Sequence, residues 1–317
     1  MIITKNRQTD ETIRRMAAAA FPDKTVSGIT ELTEGLCNAA YCVEFADGMK
    51  SILKIASARG EGLMANEVNL MDAEVKAMRM VGEKNTIKVP QVQYYDISGT
   101  ICSGKYFFME ALQGQSYSTL KEKLTEAERS IINEETGQIA EKLTRIKGSS
   151  FGLLADEAHR FTCLYDFLQY LIQNVLEDAA RKAIVMDVSA GEILERLAQN
   201  RAIFDAVTQP TLVHWDMWDG NIFVKDGHIS GIIDWERALW GEAFMDDRFR
   251  RHTINADFLR GYGQESFSRQ ERQRISWYDI FLYLTLMTEG AYRGYEDDSQ
   301  YRWARTMFAE AWRDLQN

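Results

Sequence analysis

Residues 212–236 read LVHWDMWDGNIFVKDGHISGIIDWE, and this stretch decides how the rest of the chain is interpreted. Its apolar runs are typical of two short strands joined by a hairpin. Between and after these runs stand four polar residues: His214, Asp216, Asn221 and Asp234. Each of them alone would fit a polar turn, and His214 alone would fit a buried core position. Together, each near a strand end and flanked by apolar residues, they favour a functional site.

The order of these side chains is typical of metal-assisted phosphoryl transfer. That reaction needs a carboxylate that orients the attacking hydroxyl group, and Asp216 is the candidate. It also needs oxygen ligands for a magnesium ion on the phosphates, which the amide of Asn221 and the carboxylate of Asp234 would supply. Gly220 allows the backbone to turn sharply between Asp216 and Asn221. The stretch therefore predicts a reaction type and leaves the acceptor open.

The sequence changes character near residues 112–116. Before this point, short strand patterns dominate, apart from helical patterns over residues 9–21 and 61–81. After it, long helical patterns dominate, and residues 212–233 are their one interruption with strand character. We therefore predict an α+β fold of two lobes, with a small β-rich lobe over residues 1–112 and a larger helical lobe over residues 113–317. Because the chain has only three prolines, helix ends are expected to rest on glycine and polar caps.

The overall composition indicates which partners the chain is expected to bind and in which compartment it is expected to lie. The formal net charge of −10 argues against a nucleic-acid partner and against an anionic membrane surface. It is compatible with a cationic substrate, although plain solubility is the favoured explanation of the net charge. The four cysteines are scattered without a CxxC pair, which predicts a reducing compartment with neither disulfide framework nor zinc site. With no apolar signal core and no apolar run near the ~20 residues of a membrane span, the expected location is cytoplasmic.

The motifs HWDMWDGN and IIDW resemble those of the small-molecule kinase superfamily that includes aminoglycoside phosphotransferases, choline kinases and fructosamine kinases. The resemblance extends over nearly the whole chain, and it implies a bilobal protein-kinase-like fold. It implies transfer of the γ-phosphate of ATP or GTP, with Mg²⁺, to a hydroxyl group of a small molecule. Aminoglycosides, other antibiotics, amino sugars and amino alcohols are the acceptor classes that it implies. In this resemblance Asp216 is catalytic, and Asn221 and Asp234 are the metal ligands.

The resemblance also assigns nucleotide-binding residues upstream. Gly35 and Asn38 correspond to the nucleotide loop, although a single glycine matches a glycine-rich loop poorly. Lys54 lies within an apolar strand, where a charged amine is costly unless it has a partner. The implied partners are the nucleotide phosphates and a glutamate on the following helix. Glu74 is the preferred glutamate because of its helical context, and Glu67 is the alternative.

Residues 107–112 resemble the hinge that binds the adenine base. In that arrangement the main chain of Glu110 and Leu112 offers one acceptor and one donor within an apolar slot. A buried edge strand would have the same sequence pattern, so this assignment depends on the resemblance.

Several residues depart from the pattern of protein kinases that dock peptides. Trp215 stands where those enzymes have the arginine that reads a phosphorylated loop, and Trp218 stands in place of a lysine. An Ala-Pro-Glu segment is also missing downstream of Asp234. These differences favour a small-molecule acceptor.

Aromatic and acidic residues surround the predicted site. Asp219, Glu236 and Trp240 are the candidates for contacting the acceptor. Carboxylates and aromatic faces would suit an ammonium group through ion pairs and cation–π contacts. Arg237 and Arg248 are alternative partners of the same carboxylates, and aromatic residues at helical spacing usually belong to a core.

Two other functions are kept as alternatives. The sparse glycine loop would fit a non-catalytic, nucleotide-binding regulatory protein on a kinase scaffold. A metal-dependent hydrolase using Asp216 and Asp234 ranks last, because the four histidines show no ligand spacing. Whether the role is antibiotic resistance or metabolism, whether ATP or GTP is the donor, and the oligomeric state stay open at this point.

Overall fold

The computed structural model describes residues 5–33, 38–57 and 63–315. Its N-terminal part is built around one sheet. In chain order the elements are helix α1 (Asp10–Ala20), strands β1 (Val26–Leu32), β2 (Ala39–Phe45) and β3 (Lys50–Ile55), helix α2 (Leu70–Lys84), and strands β4 (Val92–Asp96) and β5 (Tyr106–Glu110).

The five strands form an antiparallel sheet in the order β1-β2-β3-β5-β4. Alternation along the strands gives this sheet two different faces. Leu53 and Ile55 of β3 join the same buried cluster as Ile13 and Met16 of α1. Lys54, between them, therefore points to the opposite face.

The helix predicted over residues 61–81 begins later than expected. Helix α2 starts at Leu70, directly after Asn69, whose backbone lies in the left-handed region with a φ of 50°. A left-handed residue interrupts an α-helix, so residues 63–69 run as a non-helical segment. This correction matters because it removes Glu67 from the helix and leaves Glu74 on it.

The C-terminal part is mostly helical. In chain order its elements are strand β6 (Gln115–Ser116), helices α3 (Tyr117–Leu120) and α4 (Glu126–Leu143), strand β7 (Gly152–Leu153), helices α5 (Leu164–Arg181) and α6 (Ala190–Gln199), strands β8 (Thr211–Val213), β9 (Ile222–Lys225), β10 (His228–Ile232) and β11 (Leu239–Gly241), and helices α7 (Ala256–Tyr262), α8 (Arg269–Arg293) and α9 (Ser299–Asp314).

Polar residues and glycines mark the ends of these helices, as predicted from the scarcity of proline. Thr125 and Ser268 form capping boxes with Glu128 and Glu271 at the starts of α4 and α8. Helix α8 ends at Gly294, which has a φ of 68° that suits glycine. No helix within the described ranges is both long and apolar enough to cross a membrane.

The predicted hairpin is present between β9 and β10. Its turn residues Asp226 and Gly227 both have positive φ, 53° and 79°, which matches the twist of a two-residue hairpin. Strand β9 lies between β10 and β6, while β11 lies between β7 and β8. The predicted fold class, a β-sheet N-terminal region followed by a helical C-terminal region, is confirmed. The boundary at residue 112 stays a prediction.

Candidate active site

His214 connects the two ends of residues 212–236, the stretch that contains Asp216 and Asp234. It follows β8, is fully buried, and its Nε2 atom lies 2.9 Å from the carbonyl oxygen of Ile233. Because a carbonyl can only accept, Nε2 carries the proton. Burial lowers the pKa of His214 to about 4, so the ring is neutral near pH 7. The histidine thus braces the segment that precedes Asp234, which is a positioning role.

Trp215 holds the loop before Asp216 in an unusual backbone conformation. Its φ is 75°, a region that bulky residues rarely adopt. The Trp215 N–H donates to Asp246 Oδ2 at 3.0 Å, and the Trp215 carbonyl accepts from the Asp247 N–H at 3.0 Å. Two hydrogen bonds with a distant segment therefore fix the backbone at Trp215 and, with it, the direction of the Asp216 side chain.

Asp216 and Asn221 are in direct contact. Asn221 is buried, and its Nδ2 atom donates to the Asp216 carbonyl at 2.8 Å and to Asp216 Oδ2 at 3.4 Å. With the amide nitrogen used in this way, the amide oxygen is the atom left for a cation. Desolvation raises the pKa of Asp216 well above its ordinary value; Arg237 opposes this shift and the Asp234 carboxylate adds to it.

Lys54 joins the N-terminal sheet to the segment after β10. Its Nζ atom lies 2.6 Å from Glu74 Oε1 and 2.8 Å from Asp234 Oδ1. Asp234 has a φ of 66° and lies just past the strand end, with its side chain 35% exposed. The structure brings Glu74, and not Glu67, to Lys54.

Lys54 and Asp234 hold each other in their charged forms. Burial alone would lower the pKa of Lys54, but Asp234, Glu74 and Glu236 together raise it. Burial alone would raise the pKa of Asp234, but the charge and hydrogen bond of Lys54 hold it below its ordinary value. Burial raises the pKa of Glu74, which is fully enclosed. Lys54 is therefore an ammonium group between two carboxyl groups.

Glu236 belongs to the same acidic group and not to an open surface. It is buried, and its Oε2 atom accepts from Asn38 Nδ2 at 2.7 Å. Carboxylate oxygens of Glu74, Asp234 and Glu236 all lie within 4.8 Å of one another. Asn38 thus links the start of β2 to the segment after Asp234, whereas Gly35 lies outside the described residues.

The predicted hinge connects the two regions. Glu110 ends β5, and its N–H donates to the Gln91 carbonyl at 2.9 Å. The Leu112 side chain packs against Gly231 of β10, where an added Cβ would lie 2.6 Å from Leu112 Cδ1. Leu112 therefore passes directly beside the hairpin that carries the candidate metal ligands.

The other two acceptor candidates are placed differently from each other. Asp219 Oδ1 pairs with Arg248 Nη2 at 2.7 Å, and Asp219 Oδ2 pairs with Lys121 Nζ at 2.7 Å. Trp240 lies in the middle of β11 between β7 and β8, with its ring against Gly148. Asp219 therefore pairs with Arg248, the alternative partner considered from the sequence, while Trp240 is part of a sheet.

Two cavities border the loop that carries Asp216. One lies beside Trp218 and has a volume of about 590 Å³; its lining includes Tyr117, Lys121, Asp219, Asp247, Arg248 and His252. The other lies beside Trp215 and has a volume of only about 40 Å³; its lining includes Met64, Asn66, Glu67 and Arg237. The indole of Trp218 is 49% exposed and covers Gly220, where an added Cβ would meet the ring at 2.1 Å.

Two sets of contacts around the site were missed by the sequence argument. One is the support of Trp215 by Asp246 and Asp247. The other is the pairing of Arg237 with Glu67 and Glu289, at 2.9 Å each. The adjacent acids at 246–247 were a visible signal for the first set, whereas partners 170 and 52 residues apart left no local signal for the second.

Comparison with known proteins adds a family and a fold. A model of the phosphotransferase enzyme family, abbreviated APH, matches residues 28–247. No curated protein matches the sequence. Among solved structures, a candidate fructosamine-3-kinase from Thermobifida fusca YX-ER1 is similar, with a TM-score of 0.71, 17% identity, and coverage of 96% of this chain and 100% of that chain.

Two aminoglycoside phosphotransferase structures are similar as well. APH(4)-Ia matches with a TM-score of 0.67 and 17% identity, covering 96% of this chain and 99% of that chain. APH(2")-IIa, in a ternary complex with streptomycin and ATP, matches with a TM-score of 0.63 and 15% identity, covering 98% and 97%. At these identities the similarity establishes the fold.

Proposed function

Because the chain belongs to the phosphotransferase enzyme family and is a small-molecule kinase, we propose that it moves the γ-phosphate of ATP or GTP to a hydroxyl group of a small molecule, with Mg²⁺ as cofactor. The observation that carries the proposal is the convergence of Lys54, Asp216, Asn221 and Asp234, which come from both regions of the chain, on one site.

The donor side of the proposal rests on Lys54. A buried ammonium group between two carboxyl groups is positioned to bind phosphate oxygens as a third partner. Asn38 and the main chain of Glu110 and Leu112 would bind the rest of the nucleotide. A related structure, a thermostable variant of APH(4)-Ia, holds ADP with hygromycin B, which supports a nucleotide as donor.

The residues present fit a magnesium ion. Asn221 offers an amide oxygen, and Asp234 offers a partly exposed carboxylate; Ile233, which precedes Asp234, donates its N–H to the Asn221 carbonyl at 3.0 Å. Two protein oxygens are a typical share for Mg²⁺, which keeps waters and takes substrate phosphates as its other ligands. A bound Mg²⁺ would neutralise charge that develops on the transferred phosphoryl group.

The chain's own residues would then carry out the transfer. Asp216 would accept a hydrogen bond from the acceptor hydroxyl, orient it towards the γ-phosphate and take its proton. Asn221 would hold the Asp216 main chain, and Lys54 would hold the phosphates in line. His214 and the Asp246–Asp247 pair would keep the two loops at the required separation.

We place the acceptor in the cavity beside Trp218. Its volume of about 590 Å³ falls in the usual range for small-molecule sites, and it borders the loop of Asp216. It carries both basic and acidic side chains, and Asp219 already has two cationic partners. A polar, hydroxyl-bearing acceptor such as an amino sugar or aminoglycoside fits this lining, with one face of a ring on the Trp218 indole.

The test is a transfer assay with Mg²⁺ and γ-labelled ATP or GTP over aminoglycosides, macrolides, amino sugars and amino alcohols. The wild-type chain should label at least one acceptor. Asp216→Asn should lower kcat by about 10²–10⁴-fold while nucleotide affinity stays within about threefold. Asp226→Asn is the matched control, because Asp226 is exposed in the hairpin turn and asparagine tolerates its φ of 53°. Full activity in Asp216→Asn would refute the mechanism.

A further inference from the structure

Residues 63–69, here called the strap, precede α2 in the chain but lie against the helices of the C-terminal region. The Ala65 N–H donates to Asp178 Oδ2 of α5 at 2.7 Å. The Met64 side chain is 4% exposed and belongs to the same buried core as α5 and α8. The strap therefore packs in the helical region, although in the chain it lies between strands β3 and β4 of the N-terminal sheet.

A second set of contacts fixes the middle of the strap. Asn66 Nδ2 donates to the Leu171 carbonyl of α5 at 2.9 Å, and Asn174 Nδ2 donates to Asn66 Oδ1 at 2.8 Å. Both polar ends of the Asn66 amide are thus used by one helix. Such a reciprocal arrangement orients a side chain more tightly than a single hydrogen bond.

Glu67 then connects the strap to the active-site segment. Its Oε1 atom accepts from Arg237 Nη2 at 2.9 Å and from Arg293, and its Oε2 atom accepts from the Met64 N–H at 2.9 Å. Arg237 also pairs with Glu289 of α8 at 2.9 Å. One carboxylate therefore joins the strap, the segment after Asp234 and α8.

Arg237 occupies a position that reaches the site itself. It closes the short 3-10 helix Trp235–Arg237, which follows Asp234 directly. Its guanidinium carbon lies 5.2 Å from the centre of the Trp215 ring, and Trp215 precedes Asp216. Arg237 thus belongs to the segment that follows Asp234, the candidate metal ligand. Its guanidinium group packs on the loop that carries Asp216, the candidate base.

We propose that Glu67 is a positioning residue for phosphoryl transfer: it holds Arg237 over Trp215 and so sets the spacing between the Asp216 and Asp234 loops. Because the strap continues into α2, the same segment carries Glu74 to Lys54 on the nucleotide side. The strap therefore couples the two halves of the site. This inference rests on the proposed function for its kinetic test, but it has a second test that needs no activity.

The kinetic test compares Glu67→Gln with Glu67→Asp and with Glu157→Gln. Glu157 pairs with Lys76 at 2.8 Å and also joins α2 to the C-terminal region, but on the exposed surface. Glu67→Gln should lower kcat by about tenfold with the nucleotide KM within about twofold, since misplaced groups cost rate. Glu67→Asp should recover part of kcat, and Glu157→Gln should match the wild type.

Each rate is divided by the concentration of protein that binds nucleotide in the same preparation. Partial unfolding is then not mistaken for a lower kcat. An unchanged kcat in Glu67→Gln would overturn the proposal. So would a loss that Glu67→Asp does not recover, or an equal loss in Glu157→Gln, because each would indicate a general structural effect.

The second test is hydrogen exchange of the strap amides without nucleotide. In Glu67→Gln the amides of residues 64–67 should exchange about tenfold faster than in the wild type, while the β3 amides do not change. Equal exchange in both proteins would overturn the proposal even if transfer is observed. A wild-type chain that transfers no phosphate would count against the proposed function, whereas this exchange result would still decide whether Glu67 holds the strap.

Discussion

The Nζ atom of Lys54 lies 2.8 Å from Oδ1 of Asp234, although 180 residues separate them in the chain. The contact closes the site across the two regions, because Lys54 belongs to the N-terminal sheet and Asp234 follows the β9–β10 hairpin. Glu74 is the second partner of the same ammonium group. We therefore expect stability and nucleotide binding to depend on one buried cluster.

Lys54→Met should destabilise the protein as well as inactivate it. Glu74 would remain fully buried without its cation, and breaking a buried ion pair costs about 3–5 kcal/mol of unfolding free energy. Adding Glu74→Gln should recover much of that stability, because the remaining charge is removed, while nucleotide binding stays lost. Denaturant unfolding and nucleotide titration of both variants measure this. A double variant no more stable than Lys54→Met would show that the cost lies elsewhere.

Asn221→Ala should shift the magnesium dependence of turnover. It removes the amide oxygen proposed as a ligand, while the Asn221 carbonyl keeps its 3.0 Å hydrogen bond from the Ile233 N–H. The Mg²⁺ concentration at half-maximal rate should rise about tenfold or more, with partial recovery at high Mg²⁺. Rates measured across Mg²⁺ concentrations at saturating nucleotide test this. An unaltered dependence would remove Asn221 from the metal site.

Trp218→Ala should weaken the acceptor without affecting the donor. The variant removes the exposed indole at the rim of the 590 Å³ cavity, so the acceptor KM should rise about 5–30-fold while the nucleotide KM is unchanged. Trp218→Phe should keep most of the affinity, since it retains an aromatic face. Gly220→Ala should resemble Trp218→Ala, because a Cβ there would displace the ring. Steady-state kinetics with each substrate varied separately distinguish these outcomes.

His214 should make stability dependent on pH on the acid side. Burial lowers its pKa from 6.5 to about 4, so the unfolded chain binds a proton more readily than the folded chain. The unfolding free energy should therefore be fully present above pH 6.5 and fall by about 2 kcal/mol between pH 6.5 and pH 5. His214→Gln should lose this part of the slope. Denaturant unfolding of both proteins at matched pH values isolates it, and identical slopes would contradict the assignment.

Local sequence patterns were sufficient for most of the architecture. The predicted hairpin between β9 and β10 and the polar caps of α4 and α8 depend on a few neighbouring residues each, and the structure agrees with both predictions. The fold class and the enzyme class are confirmed. The start of α2 was wrong because periodicity continues through residues 63–69, whereas their contacts with α5 hold them in another conformation.

The arrangement of the site was less accessible, since it depends on partners far apart in sequence. The choice of Lys54, Asp216, Asn221 and Asp234 came from spacing and resemblance, and their roles stay proposals. Glu236 was a candidate for contacting the acceptor, and the structure shows it buried and hydrogen-bonded to Asn38. Such burial follows from how the two regions meet, which no local pattern records.

The backbone of Trp215 has a consequence for protein engineering. Its φ of 75° is held by a hydrogen bond that Trp215 donates to Asp246 and one that it accepts from the Asp247 N–H, 31 and 32 positions further along the chain. A design that transfers HWDMWDGN alone into another scaffold would transfer the candidate catalytic residues. It would leave behind Asp246 and Asp247, whose hydrogen bonds give the loop its conformation. A workable graft would have to include the Asp-Asp pair as well, so the smallest portable unit of this site is two separate segments and the framework that fixes their distance.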